Sequence, residues 1–259
     1  MSTATLADAA FGAGPQCWPL PPGRSAQELW WRAVAAGGQG RYANARTDLH
    51  VLLRGDNGPL TSLAHSTAAS FLRQLGWHQL AREVDGRAWA SAVDAESRAD
   101  ALIGLAADAL GVGRFAASDR LLQRARPWVQ RSEVPRLAVR LAWVHAELAM
   151  VSGAGAESVG HASRAVELAA TLGSVRHVVK SDVVHAAALC SAGRYDEART
   201  VADRALRAAQ SSSLVPLSWA LSCLLGDIGS AEHQPAEIAG LRDAAAATVR
   251  ARGGVWAGR

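Results

Sequence analysis

The tightest constraint on this chain is a dipeptide that falls in register with itself. Four Arg-Ala pairs, Arg87-Ala88, Arg124-Ala125, Arg164-Ala165 and Arg204-Ala205, follow one another at intervals of 37, 40 and 40 residues. A glycine stands 11 residues before each Arg, at Gly76, Gly113, Gly153 and Gly193. A fixed offset at a period near 40 marks an internal repeat, in which one supersecondary unit is copied and buries its apolar face only by stacking on the next.

The unit is legible between Ser97 and Arg126. Leu102, Leu105, Ala106 and Ala109 form an apolar stripe at helical spacing, Gly111 to Gly113 interrupt it, and Phe115, Ser118, Leu122 and Ala125 resume it at 3,4,3 spacing. That is a helical hairpin with a glycine turn. Tyr42, Ala45, Leu49 and Leu52 after Gly40 repeat the pattern, as do Tyr195, Ala198, Ala202 and Ala205 after Gly193. Val144-His145-Ala146 and Val184-His185-Ala186, 40 residues apart, extend the register. In the second unit Asp85 and Gly86 predict a bent or frayed second helix, since Gly costs ~1 kcal/mol against Ala in a helix interior. The apolar fraction is 49%, with few strand-favouring Ile, Tyr and Phe, so the composition agrees with helices.

These positions resemble the tetratricopeptide repeat, whose pattern here reads Gly-x-Tyr/Phe-x-x-Ala with a second Ala seven residues on. Gly40, Tyr42 and Ala45 carry it, as do Gly193, Tyr195, Ala198 and Ala205; Gly113, Phe115 and Ala125 carry it with Ser118 at the middle Ala. The resemblance spans about residues 26 to 210 and is divergent: the period exceeds the family's 34 residues, and Asp182 and His185 stand where apolar residues are expected. It implies that the aromatic and both Ala pack the hairpin, that the fold is an all-α, right-handed α-solenoid of five to six antiparallel hairpins, and that the chain binds proteins or peptides. The expected organisation is a flexible, Pro-rich segment at 1–25, five hairpins at 26–210, capping helices at 211–252 and a frayed tail at 253–259.

Composition excludes several function classes. The basic residues are 26 Arg and one Lys, an imbalance that a GC-rich bacterial coding sequence produces without selection for guanidinium. A net charge of +4 is modest for a nucleic-acid binder of this length. Three Cys without paired spacing give neither a disulfide framework nor a zinc site, which fits a cytoplasmic protein. Residues 1–25 lack the layout of a signal peptide, and no uncharged apolar run reaches membrane-spanning length. No phosphate loop, dinucleotide fingerprint or nucleophile elbow occurs. Asp182 with His185, and His145 with Glu147, are acid–histidine pairs without a third ligand. No catalytic residue, metal or cofactor is therefore expected.

The remaining candidates lie on the face of the first helices, opposite each hairpin's own packing stripe. Counting from the turn glycines gives Trp30, Arg73, Ile103, Arg140, Trp143, Glu147 and Lys180. Aromatics that supply contact area, mixed with cations that fix acidic groups, suit a groove for a segment of another protein. A nucleic-acid partner, held by the run from Arg114 to Arg140, is the less favoured alternative, and a small-molecule-sensing domain is a third. Partner identity and oligomeric state are open at this level.

Overall fold

The computed structural model describes residues 2–55 and 58–258; Met1 and Arg259, at the ends of the expected leader and tail, lie outside the described residues. Among these, thirteen helices and no strands occur: α1 (Ser2–Phe11), α2 (Ala26–Gly38), α3 (Tyr42–Leu52), α4 (Pro59–Gln74), α5 (His78–Ser91), α6 (Ala95–Gly111), α7 (Phe115–Arg131), α8 (Arg136–Val151), α9 (Gly155–Ala170), α10 (Val175–Ser191), α11 (Tyr195–Ser211), α12 (Val215–Ile228) and α13 (Pro235–Ala251). After α1 they pair as six antiparallel hairpins, an all-α solenoid. Each even-numbered helix from α2 to α10 touches the next even-numbered one, so these first helices form the inner, concave wall, while the second helices splay outward.

The turn glycines make the hairpins possible. Gly40, Gly76, Gly113, Gly153 and Gly193 all have positive φ, between 73° and 89°, a region in which a Cβ is strained. The residue after each glycine then bonds back five positions, as in Arg114 N to Ala109 O at 2.8 Å and Arg194 N to Leu189 O at 2.9 Å. This closes the first helix with a Schellman cap and aims the chain back along it.

Small residues set how closely the hairpins approach. Ala88, Ala125, Ala165 and Ala205 are fully buried, and the Arg preceding each is exposed. Ala125 packs with Leu102, Leu122 and Leu137, drawing α6, α7 and α8 into one cluster; Ala165 does the same for α8 and α9 with Val139 and Ala142.

Four expectations need correction. The aromatic after the turn glycine is buried only at Tyr42, while Phe115 is 41% and Tyr195 50% exposed. Tyr42 is covered because Phe71 meets its ring edge at 5.3 Å and Gly254 of the returning C-terminus lies against it; the other two stand at the first positions of α7 and α11 with much of each ring in solvent. Second, α5 is one continuous helix across Asp85 and Gly86, because Asp85 is buried against Arg73 and Gly86 faces solvent.

Third, residues 2–23 are not a flexible leader. In α1, Leu6, Ala9 and Ala10 make one buried face, and α1 packs on α2 and reaches α10 across the inner wall. The following segment is pinned by Val175 N to Gly12 O at 3.1 Å, by Gln39 Nε2 donating to Pro15 O and Cys17 O at 2.7 and 2.9 Å, and by Arg41 over the Trp18 ring. Fourth, the described part of the tail is docked. Trp77 Nε1 donates to Val255 O at 2.7 Å, Ala257 N to Leu75 O at 2.8 Å, and Trp256 lies 4.3 Å from Trp219. Arg252 Nη1 also donates to Gln39 O at 2.7 Å and Ala43 N to Arg252 O at 3.0 Å. The last hairpin thus comes back to the first two, and the superhelix encloses an interior.

Candidate functional site

That interior holds a cavity of about 380 Å³ against the inner wall, the volume of an ordinary ligand pocket. Six of the seven groove candidates line it: Arg73, Ile103, Arg140, Trp143, Glu147 and Lys180. The seventh, Trp30, is turned away. Its indole donates to Thr67 Oγ1 at 3.0 Å and its ring packs at a tilt against Phe11, centroids 5.3 Å apart, so α1 covers the face it was expected to present. A second opening of about 780 Å³ lies between α4 and the returning C-terminal segment and shares Arg73, His78 and Trp219 with the first.

The charged residues on the wall are placed by helix register and are mostly neutralised. Arg73 of α4 meets Asp85, and reaches Asp108 of α6 at 2.8 Å. Arg140 of α8 pairs with Asp100 of α6 at 3.2 Å, and Lys180 of α10 with Glu147 of α8 at 3.4 Å. Below them Arg136 pairs with Glu96. The first helices are therefore stitched to one another by ion pairs from α4 to α10.

Burial shifts several of these groups. Asp85 is raised, first by burial and then by the neighbouring Asp108, against the pull of Arg73. The Arg73 guanidinium itself is raised, the two carboxylates outweighing its desolvation. Arg140 is lowered because burial outweighs Asp100. His177 is held well below its usual value by burial and by Arg176, Arg136 and Arg140, so its imidazole is neutral. It stacks on Trp143 at 5.6 Å while Ser174 Oγ and its Nδ1 are hydrogen-bonded at 2.8 Å. The Trp143 indole donates to Ser181 Oγ at 2.9 Å. Trp143 and His177 make a rigid, uncharged aromatic platform beneath the cations.

The sequence reading missed Arg176, His177, His78 and Trp219, all on the cavity wall. Trp30, Ile103 and Trp143 each lie ten residues before a turn glycine, which is why counting found them. Arg176 and His177 sit in the first turn of α10, far from their glycine. Trp219 belongs to the hairpin that breaks the period.

Other candidates do not converge. The basic run from Arg114 divides between two faces: Arg136 and Arg140 turn inward to carboxylates, while Arg124 and Arg131 lie over the rings of Trp89 and Trp128 on the outside. His145 stacks on His161 at 5.1 Å rather than meeting Glu147. Asp182 pairs with Arg204 at 3.1 Å. Among the described residues no group of three His, Cys, Asp or Glu is arranged to hold a metal, and no helix is long and apolar enough to cross a membrane.

The fold has a solved counterpart. The chain is similar to a Rap protein whose crystal structure was determined in complex with Competence and Sporulation Factor: the TM-score is 0.67 at 14% identity, over 90% of this chain and 68% of that one. The chain has the fold of a tetratricopeptide-like solenoid. No protein-family model matches the sequence, and no curated protein aligns with it.

Proposed function

We propose that this chain is a non-enzymatic, cytoplasmic interaction module that receives a short peptide, free or as part of a partner protein, in the cavity of its inner wall. The observation that carries the reading is the convergence of Arg73, Ile103, Arg140, Trp143, Glu147 and Lys180 from four successive hairpins on one space of about 380 Å³. An aromatic platform flanked by cations gives contact area and orientation at little conformational cost. The complex named for the structurally similar Rap protein agrees with this use of the fold. Division of the basic run between two faces weighs against the nucleic-acid alternative, which needs aligned guanidiniums.

The test is affinity capture with the full chain as bait, repeated with Trp143→Ala and with Lys180→Ala. Both side chains line the cavity, and the Lys180–Glu147 pair is partly exposed, so its loss leaves the fold intact. A peptide or protein captured by the native chain and lost by both variants supports the reading. Capture unaffected by either variant places binding elsewhere and overturns it.

A further inference from the structure

We infer that the cavity anchors its ligand by a carboxylate received at Arg176, so that the peptide it takes presents an acidic group beside an apolar residue; this rests on the reading just given. Four cations face the space, and three are already matched: Arg73 by Asp85 and Asp108, Arg140 by Asp100, and Lys180 by Glu147. Arg176 is the exception. Among the described residues it meets no carboxylate, its Nε is buried without a hydrogen-bond partner, and its guanidinium lies over the Phe11 ring at 5.5 Å.

Such a group is costly for a folded chain to keep. A buried donor without an acceptor loses its hydration and gains nothing in return, and here two further guanidiniums stand close by. Burial first, then Arg140 and Arg136, bring Arg176 down to about 10. Arg136 Nη1 and Arg140 Nε are two further buried donors without a hydrogen-bond partner. A single carboxylate entering the cavity would satisfy the planar fork of Arg176 and relieve the mutual repulsion in one step.

Charge and size select among anions. Of the four cations only Arg176 meets no carboxylate among the described residues, so a single carboxylate matches it one to one, whereas a phosphate at −1.5 to −2 exceeds it. A space of about 380 Å³ holds the end or the tip of an extended peptide. Trp143 over His177, with Ile103 and Leu217 nearby, provides an apolar seat next to the anchor. Phe11 closes the opposite side of Arg176, so α1 fixes the guanidinium without neutralising it.

The experiment uses the immobilised full chain and two pools of random five-residue peptides. One pool contains Asp and Glu and has free C-terminal carboxylates; the other lacks both residues and is amidated. The expected result is enrichment from the acidic pool only, weakened about tenfold to a hundredfold by Arg176→Gln and partly restored by Arg176→Lys. The unliganded Arg176→Gln chain is expected to melt at the same temperature as the native chain or higher, since an unmatched buried charge has been removed. Equal capture from both pools, or capture that Arg176→Gln leaves unchanged, overturns the anchor while leaving a peptide groove. No capture from either pool overturns both. A lowered melting temperature in both Arg176 variants assigns the residue a structural role and overturns the anchor, and so does thermal protection by inorganic phosphate that exceeds protection by acetate.

Discussion

The two walls of this solenoid are joined by different chemistry. The outer helices meet the inner ones through alanine: Ala88, Ala125, Ala165 and Ala205 are fully buried, and the neighbouring side chains fill the space around them. The inner helices share buried apolar clusters too, but they alone are also joined to one another by a run of ion pairs, Arg73 to Asp108, Arg140 to Asp100 and Lys180 to Glu147. Alanine packing fixes a distance and leaves no room. Ion pairs between long side chains hold helices together while leaving space beside them, and that space is the cavity. The wall that stabilises by volume is thus separate from the wall that is free to recognise a ligand.

The largest expected effect comes from breaking the inner stitching at its most buried point. Arg73→Met removes the only described guanidinium that meets Asp85 and Asp108, both fully buried, and is expected to destabilise the chain by about 3–5 kcal/mol in urea unfolding. The pH dependence has a definite sign. Because Asp85 is raised above its ordinary 3.8 in the folded chain, the fold binds its proton more tightly than the unfolded chain does. Its contribution is full below 3.8 and is lost as pH rises above that value. Loss of Arg73 raises Asp85 further, so the defect should be smaller at about pH 5 than at about pH 8. A defect independent of pH would mean that Arg73 acts by packing alone, and the contrast between the walls would dissolve.

The outer wall should respond to volume and not to charge. Ala125→Leu adds methylenes where Leu102, Leu122 and Leu137 already close on the site, with an expected loss of about 1–3 kcal/mol. Arg124→Ala, one residue away, removes an exposed guanidinium 5.4 Å from the Trp89 ring and should cost about 0.5–1 kcal/mol. Thermal melts of the pair check the order. If the Arg change proved the larger, the repeating dipeptide would owe its register to charge rather than to the small residue.

The same contrast explains what could be read in advance. Alanines and turn glycines are local signals, set by one helix and its own turn, so their spacing gave the hairpins and the inner face. Ion pairs join residues on different helices, such as Arg140 with Asp100 and Arg73 with Asp108, and no periodicity announces which cation finds which carboxylate. Six cavity residues followed from counting along regular hairpins. Arg176 and Trp219 lie where that count does not reach, and Trp30 was hidden by α1, a contact between distant parts of the sequence. In the N-terminal segment the prolines at 15, 19, 21 and 22 outweighed a real signal, the spacing of Leu6, Ala9 and Ala10 on one helix face.

Two glycines on the outer side sharpen the comparison at the smallest scale, with opposite signs. Gly113 turns α6 into α7 at a φ of 76°, and although a methyl there would meet no atom within 4 Å, the backbone itself disfavours it. Gly113→Ala should therefore cost about 1–2 kcal/mol. Gly86 lies in the exposed interior of α5 with helical geometry and equally open surroundings. There alanine restricts the unfolded chain and suits the helix, so Gly86→Ala should stabilise by about 0.5–1 kcal/mol. Urea unfolding of the two variants separates backbone conformation from packing, since neither methyl touches anything. Destabilisation by Gly86→Ala would mean that α5 needs local freedom at Asp85, and that the buried Arg73–Asp85–Asp108 cluster strains the outer helix as well as stitching the inner wall.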